Sequence, residues 1–184
     1  LRRVPEIIED GERDLPGSFR LLIDRLLDHL KELDRQVGEL AAEIQTWHRQ
    51  DTASQKLARI PGVGPLTASA LAASIGDARN FKNGRQLAAW LGIVPRQHST
   101  GGKPTLLGIS KRGDAYLRTL LIHGARAVIR TAERKPDADP WLRQLLARRN
   151  KNVAAVALAN KNARTIWALL AHDREYQADY RMAA

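Results

Sequence analysis

The segment Pro95–Asp114, with the sequence PRQHSTGGKPTLLGISKRGD, carries the residues whose types and spacing best suit chemistry. It places two hydroxyls before a Gly-Gly pair and three cations after it: Ser99, Thr100, Lys103, Lys111 and Arg112. A hydroxyl close to several cations suits transfer of a phosphoryl group to a side chain. The cations would bind the non-bridging phosphate oxygens and stabilise the charge that develops on them. The same residues suit a loop that only binds phosphate. Residue types alone favour phosphate binding over a nucleophile, and both hypotheses stay open.

Other chemistries lack the residues they need. The chain has no cysteine, so disulfides, thiolate zinc sites and cysteine nucleophiles are excluded. No Walker A spacing is present to indicate nucleotide hydrolysis, and the five histidines are scattered without a pair spaced for a metal ion. His98 adjoins Ser99 as a candidate base, although adjacent side chains rarely point the same way. The sequence predicts no metal site and no cofactor in this chain.

A turn rich in glycine and proline precedes this segment, in the stretch IPGVGPLTASALAASIG over residues 60–76. Pro65 suits the first turn of a helix, and Gly76 is placed to end that helix. The Gly-Val-Gly hairpin of residues 62–64 resembles a helix-hairpin-helix, in which bare glycines bring backbone N–H groups close to a phosphate. A tight turn between helices with no ligand is the structural alternative.

Helical periodicity and end signals predict the remaining elements. We expect helices over about residues 84–91, 112–132, 140–149 and 152–172. Gly92 ends the first of them, a loop covers 93–110, and Ser110 is the expected N-cap of the helix that follows. No convincing strand is found. The predicted fold class is all-α: a long coiled-coil helix followed by a compact helical domain that contains the helix-hairpin-helix-like motif.

The helix predicted over about residues 18–57 has a narrow apolar seam. Its members alternate at spacings of three and four: Ile23, Leu26, Leu30, Leu33, Val37, Leu40, Ile44 and Trp47. More than three heptads of this kind, with charged residues between them, favour a coiled coil that dimerises the chain. A helix packed on its own domain is the alternative, which the narrowness of the seam disfavours.

Charge is concentrated in one part of the chain. The formal net charge is +10, and residues 79–151 hold 16 basic and 4 acidic side chains, whereas residues 1–78 have a net charge of −3. A polyanion is the natural partner of such a segment, and nucleic acid is the commonest polyanion. A basic surface without a partner is the alternative.

The predicted organisation has four parts. A flexible lead-in covers residues 1–17, the coiled-coil helix 18–56, the compact helical domain 57–174 and a frayed tail 175–184. No run approaches 18 apolar residues and no basic-then-apolar leader opens the chain. We therefore expect no membrane association and a cytoplasmic location.

Several motifs occur together and in order over residues 57–131: the IPGVGP turn, the FKNGRQLAAWLG helix, the STGGK loop and the KRGDAYLRTLLI helix. With the heptad helix before them, they resemble the coiled coil and C-terminal transposase domain of the bridge-RNA-guided insertion-sequence transposases (insertion sequence family 110, 1111 subgroup). The resemblance implies a DNA recombinase whose RuvC-like domain binds magnesium through four acidic residues. It implies a serine in the C-terminal domain that forms a covalent phosphoserine link to DNA, a guide RNA that pairs with donor and target DNA, and a homodimer or higher oligomer.

On the basis of the resemblance and of residue chemistry, roles can be assigned to individual residues as hypotheses. Ser99 is the expected nucleophile, and Thr100 is the alternative. The expected nucleic-acid contacts are Arg96, Lys103, Lys111 and Arg112 around the scissile phosphate, Arg118 and Arg126 on helix 112–132, and the backbone of Gly62 and Gly64. Further candidate contacts, to the guide RNA as readily as to DNA, are Arg85, Arg148, Arg149 and Lys151. No RuvC-like segment precedes residue 18, so we expect a C-terminal portion that lacks the magnesium site and is inactive alone.

Two other functions stay open. A non-catalytic dimeric helix-hairpin-helix module that binds DNA or RNA would account for the turn, the charge and the seam. A structural assembly protein would account for the seam, but the concentrated positive charge disfavours it. Only the STGGK loop distinguishes the recombinase hypothesis from the binding-module hypothesis.

Overall fold

The computed structural model describes residues 16–100, 103–134 and 139–178, and for residues 99, 100, 103 and 104 it describes the backbone only. The chain forms two units, residues 1–43 and residues 44–184. The predicted lead-in lies almost entirely outside the described residues, and so does the last part of the predicted tail.

Helix α1 (Gly17–Gln50) makes up the described part of the first unit and extends into the second. The heptad pattern predicted this helix, but the prediction that it continues to residue 57 is wrong. Asp51 has extended backbone angles (φ −95°, ψ 113°), and its carboxylate accepts a hydrogen bond from the Ser54 amide at 2.6 Å. Asp51 therefore caps a new helix, α2 (Thr52–Ala58), because its side chain satisfies an amide that α1 would otherwise have satisfied.

The second unit continues with short helices and then two longer ones. Its elements, in chain order, are α2, α3 (Pro65–Ile75), a 3₁₀ turn (Ala78–Asn80), α4 (Gly84–Trp90), β1 (Pro95–Thr100), β2 (Lys103–Ile109), α5 (Ala115–Ala132), α6 (Pro140–Arg148) and α7 (Lys151–Ala171). The predicted helices are confirmed to within three residues at each end. Pro65 lies in the first turn of α3 and Gly76 ends it with φ +57°, as the sequence predicted.

Helix α7 lies at the centre of the compact unit and contacts α4, α5, α6 and the 3₁₀ turn. Its buried face is rich in alanine, which lets neighbouring helices approach closely: Ala154, Ala155, Leu158, Ala159, Asn162, Ala163, Ile166 and Leu169. The buried Asn162 amide donates to the Pro61 carbonyl at 3.0 Å, and the Trp167 indole N–H donates to the Phe81 carbonyl at 2.9 Å. Burial of each large aliphatic side chain in this core stabilises the fold by roughly 1.5–3 kcal/mol.

The prediction of a loop over residues 93–110 is wrong. Strands β1 and β2 pair antiparallel there and form a two-stranded sheet, in a described chain that is otherwise helical. The prediction that Ser110 is the N-cap of the next helix is also wrong. Asp114 caps α5, because its carboxylate accepts a hydrogen bond from the Leu117 amide at 2.9 Å. The all-α class is confirmed, with this hairpin added to it.

Candidate nucleic-acid interface

The segment that carries the candidate nucleophile is a β-hairpin. The Cα register places Ser99 opposite Pro104 and Thr100 opposite Lys103. The two glycines that join the strands lie outside the described residues. Both candidate nucleophiles are therefore on the last two backbone positions of β1, at the tip of the hairpin.

Hydrogen bonds to backbone carbonyls hold the base of the hairpin together and attach it to the helical core. The Ser110 amide donates to the Val94 carbonyl at 2.8 Å. From α7, the side-chain amide of Asn160 donates to the Ile93 carbonyl at 3.1 Å. These bonds hold both chain segments at the point where the hairpin leaves the core.

Two glycines make a close backbone contact at the same base. Gly92 has φ +72° and Gly113 has φ +110°, a region that favours glycine. A Cβ at Gly113 would lie 1.8 Å from the Trp90 carbonyl oxygen, and one at Gly92 would lie 2.2 Å from the Arg112 carbonyl oxygen. Only glycine lets the end of α4 and the segment before α5 pack this closely.

Beyond its base, the hairpin is exposed on both faces. Every side chain described between Pro95 and Gly108 is exposed, and Leu106 reaches 66%. The register shifts beside Arg96, which marks an irregularity of the kind that re-aims a side chain. An isolated two-stranded hairpin is only marginally stable in water, so this one is suited to contact with a partner.

The predicted phosphate contacts around the hairpin are cationic and exposed. Arg96 lies on β1, and Lys111 and Arg112 lie just past the base, where all three side chains are exposed. None of the three makes an ion pair with another residue that the structure describes. The sequence has no acidic residue between Asp77 and Asp114. The charge of this surface is therefore not neutralised locally.

Arg118, predicted as a nucleic-acid contact, is held by the protein itself. Its side chain is half-buried, and Nη1 donates to the Leu91 carbonyl at 3.2 Å and more weakly to the Asp114 carbonyl at 3.4 Å. These bonds join the first turn of α5 to the end of α4. The arrangement gives Arg118 a structural role at the hairpin base.

The other predicted cations differ in how far they are already paired. Arg126 is exposed on α5 and donates to the Asn152 side-chain oxygen at 3.3 Å. Lys151 forms an ion pair with Glu133 at 2.8 Å. Arg85, Arg148 and Arg149 are exposed, and none of them makes an ion pair within the described part of the chain.

The Arg79 guanidinium forms an ion pair with a neighbouring carboxylate. Its Nε donates to Asp77 Oδ1 at 3.0 Å, and this hydrogen bond holds the pKa of the Asp77 carboxyl below its usual value. The same contact raises the pKa of Arg79.

The glycine turn before α3 has a packing reason that sequence analysis did not reveal. Gly62 has φ +86°, and a Cβ there would lie 2.8 Å from the Gly124 carbonyl oxygen of α5. Gly64 caps α3 with φ −84°, and nothing lies within 4 Å of a Cβ at that position. Glycine is required at position 62 by contact with α5, whereas no such contact explains Gly64.

The predicted dimerisation residues lie on α1. The described residues Gly17–Gln50 include no buried side chain, and Ile23, Leu30 and Ile44 are half-buried at most. The remaining members of the seam are all exposed: Leu26, Leu33, Val37, Leu40 and Trp47.

No three His, Asp or Glu side chains of the described residues are grouped so that they could hold a metal ion. None of the described helices combines the length and apolar character needed to cross a bilayer.

Sequence reasoning missed the hairpin and the residues at its base. A signal for the hairpin was available, because a Gly-Gly pair between two runs of extended-type residues predicts a two-residue hairpin loop. No local signal indicates the contact of Gly62 with Gly124, or that Arg118 donates to Leu91, because these partners are distant in sequence.

Comparison with known proteins places these features in context. Residues 54–147 match a family model described as transposase of the IS116/IS110/IS902 family. The chain is 56% identical over 164 residues to a "probable family 20 transposase" of Pseudomonas aeruginosa, covering 89% of this chain and 48% of that protein. It is 45% identical over 175 residues to the transposase for insertion sequence element IS1111A of Coxiella burnetii, covering 95% and 48%. A pilin gene-inverting protein of Moraxella bovis is 28% identical over 153 residues, covering 81% and 45%. The chain spans about half the length of the curated relatives it matches.

Proposed function

The chain belongs to the IS116/IS110/IS902 family of transposases, and from that premise we propose that it is the nucleic-acid-binding and serine-bearing portion of a DNA transposase. Ser99 is the nucleophile in this proposal, and Thr100 is the alternative. The observation that carries it is the hairpin: a serine at its tip, exposed side chains on both faces and unpaired exposed cations on the strand and at the base.

The proposed reaction transfers a DNA phosphoryl group to Ser99. The Ser99 hydroxyl oxygen attacks phosphorus and forms a serine–phosphate bond, while the bond from phosphorus to a sugar oxygen breaks. The hydroxyl proton leaves Ser99, and the departing sugar oxygen takes up a proton. Arg96, Lys103, Lys111 and Arg112 would stabilise the charge that develops on the non-bridging oxygens. Reversal of these steps with a second strand end would release the serine and join DNA.

The remaining parts of the proposal rest on the motif resemblance and on the length of the relatives, about twice that of this chain. A RuvC-like domain would hold magnesium through its acidic residues, and a guide RNA would choose the DNA sequence. Arg85, Arg126, Arg148 and Arg149 offer further phosphate contacts for RNA or DNA. We place the assembly in the cytoplasm, as a homodimer or higher oligomer.

The nucleophile is tested with the full-length protein, its RNA and a nicked suicide DNA substrate that traps the covalent product. We expect a covalent protein–DNA band that Ser99→Ala abolishes and Thr100→Ala retains. Ser110→Ala is the matched control, because its buried hydroxyl has no hydrogen-bond partner among the described residues. A band lost only with Thr100→Ala would move the nucleophile by one residue.

A band that survives both substitutions would leave the chain as a non-catalytic binding module. Nucleic-acid binding is tested separately through its salt dependence. Each phosphate contact releases counterions, so the logarithm of the association constant should fall linearly with the logarithm of salt concentration. A flat dependence would exclude the basic hairpin surface as a nucleic-acid interface.

A further inference from the structure

The hairpin exposes a large apolar side chain that no part of the described chain covers. Leu106, on β2, is 66% exposed, the highest fraction among the large apolar side chains that the structure describes. Because both faces of the hairpin are open to solvent, only a partner would remove this side chain from water. A single exposed leucine needs no explanation elsewhere on a surface, but this one lies beside the candidate nucleophile.

The strand register places Leu106 on the same face of the hairpin as position 99. Gln97 is opposite Leu106, and Ser99 is opposite Pro104. Opposed positions share a face of a sheet, and so do positions two apart along one strand. Positions 97, 99, 104 and 106 therefore share one face, and Leu107 lies on the other.

Leu106 is close enough to the candidate nucleophile to act on the same stretch of DNA. It is the diagonal neighbour of Ser99 across the two strands, and such neighbours are about 7–8 Å apart. One strand of DNA advances by about 3.4 Å per nucleotide. Leu106 would therefore meet the DNA about two nucleotides from the phosphate that Ser99 attacks.

The surroundings of Leu106 favour DNA over a protein as its partner. Gln97, the other side chain described on this face near the tip, is polar, and the hairpin has no acidic residue. Arg96 on β1 and Lys111 and Arg112 just past the base are exposed cations. The core of a protein interface joins several apolar side chains and is depleted of charge. One apolar side chain on a polar, cationic surface is instead typical of a wedge that enters between stacked bases.

The base of the hairpin is attached firmly enough to support such a wedge. Val94 and Ile109, at the two ends of the exposed segment, are half-buried and pack against the hydrophobic core. The Ser110 amide bonds the Val94 carbonyl, and Asn160 of α7 bonds the Ile93 carbonyl. Separation of stacked bases costs free energy, so a wedge is effective only when its own backbone is held.

We propose that Leu106 is an apolar wedge that inserts between adjacent bases of a DNA duplex and unstacks them, beside the phosphate that Ser99 attacks. The proposal rests on the proposed function and adds how the duplex is deformed at the point of strand exchange. Apolar wedges kink the duplex, and the bent DNA contacts more of the protein surface. The flanking phosphates are then the partners of Lys111 and Arg112.

Insertion is tested with 2-aminopurine, whose fluorescence rises when the base loses its stacked neighbours. The full-length protein with its RNA is bound to DNA that carries 2-aminopurine at successive positions around the point of strand exchange. Every protein also carries Ser99→Ala, so that cleavage does not contribute to the signal. We expect an increase at one step that Leu106→Ser abolishes and that Leu106→Met retains.

Leu107→Ser is the matched control for this experiment and should retain the increase. Leu107 is the adjacent leucine, is also exposed, and lies on the opposite face of the hairpin. The comparison is made between variants, since pairing with RNA also unstacks bases. Circular dichroism checks that both serine variants keep the native fold. A fluorescence profile that Leu106→Ser leaves unchanged at every position would overturn the proposal.

Binding affinity gives an independent readout. A mismatch at the unstacked step weakens stacking in advance and lowers the cost of insertion. The protein should therefore bind the mismatched duplex roughly tenfold more tightly than the matched one. Leu106→Ser should lose this preference, and Leu107→Ser should keep it. An equal preference in all three proteins would show that Leu106 is not the wedge.

A protein partner for Leu106 would give a different set of results. Leu106→Ser would then leave both DNA readouts unchanged and would alter sedimentation of the protein without nucleic acid, which would overturn the proposal. The proposed nucleophile fails separately. A fluorescence signal that depends on Leu106, without a covalent product from the native protein, would support the wedge and exclude Ser99 as the nucleophile. A covalent product without such a signal would exclude the wedge alone.

Discussion

Two glycines within helices, Gly38 of α1 and Gly124 of α5, have different surroundings. Nothing lies within 4 Å of a Cβ at Gly38, whereas a Cβ at Gly124 would lie 1.8 Å from the Gly62 carbonyl oxygen. We expect Gly38→Ala to raise the free energy of unfolding by about 1 kcal/mol, the usual helix preference. Gly124→Ala should lower it by roughly 2 kcal/mol or more, because the turn must move away from α5. Thermal unfolding followed by circular dichroism measures both.

Gly38→Ala is the control for any general effect of alanine in a helix. Equal stabilisation by both substitutions would contradict the close approach of α5 and the glycine turn. The same contact bears on the hypothesis that Gly62 and Gly64 donate to a phosphate. It explains Gly62 without a ligand, and it leaves Gly64 as the position where a functional reason for glycine is still to be tested.

At the scale of elements, the position of the hairpin depends on the contacts at its base. Two arginines near that base are expected to have different roles, one structural and one in nucleic-acid binding. Arg118 donates to the Leu91 and Asp114 carbonyls, whereas Arg112 is exposed and makes no ion pair within the described part of the chain. We expect Arg118→Ala to lower the free energy of unfolding by about 1–3 kcal/mol, because the Leu91 carbonyl, at the end of α4, loses a charged donor. Arg112→Ala should leave stability within about 0.5 kcal/mol and weaken nucleic-acid binding.

Both variants are measured by thermal unfolding and by binding to one duplex at one salt concentration. Arg112→Ala should also reduce the slope of the salt dependence, since one phosphate contact is lost. If Arg118→Ala proves fully stable and Arg112→Ala does not, the assignment of the two roles is wrong.

At the scale of the whole molecule, three carboxylates link stability to pH. Hydrogen bonds from Arg35, Arg79 and Lys56 hold the pKa values of Glu32, Asp77 and Asp173, respectively, below their usual values. The unfolded chain, with carboxyl pKa values near 4, therefore binds protons first as the pH falls. The stabilisation is fully present above about pH 5 and is lost as the pH falls through the lowered folded-state values.

We accordingly expect the unfolding temperature to decrease as the pH is lowered from 6 to 3. Asp173→Asn should make this decrease smaller, because one of the linked carboxyls is removed. Lys56→Gln should have the same effect, since it removes the cation that lowers the pKa of Asp173. If neither substitution changes the decrease of the unfolding temperature between pH 6 and pH 3, the ion pair between Lys56 and Asp173 does not contribute to that decrease.

Much of the fold follows from local sequence signals. The predicted helices over 84–91, 140–149 and 152–172 correspond to α4, α6 and α7, because apolar periodicity and capping residues act within a few positions of one another. The heptad pattern correctly predicted α1 up to Gln50. The family resemblance likewise came from contiguous motifs, and the match over residues 54–147 confirms it.

The candidate site was predicted less completely. Ser99, Arg96 and Lys111 were identified by residue type, and their roles as nucleophile and phosphate contacts stay predictions. That they lie on or beside a β-hairpin was not predicted. The Gly-Gly pair indicated a two-residue turn, but the strand preferences of the flanking residues were too weak to favour strands over a loop. The end of α1 at Asp51 was also missed, since no sequence periodicity shows that Ser54 is buried and bonds Ser69 at 3.2 Å.

The sequence by itself determined the helical class, most helix ends, the apolar seam of α1 and the concentration of positive charge, because each depends on residues near one another in the chain. Only the tertiary structure decided that the Ser99 segment is a hairpin exposed on both faces. It also decided that Arg118 holds the base of that hairpin and that Gly62 packs on Gly124. The contacts of Arg118 and Gly62 join residues tens of positions apart, which meet only when the helices pack around α7.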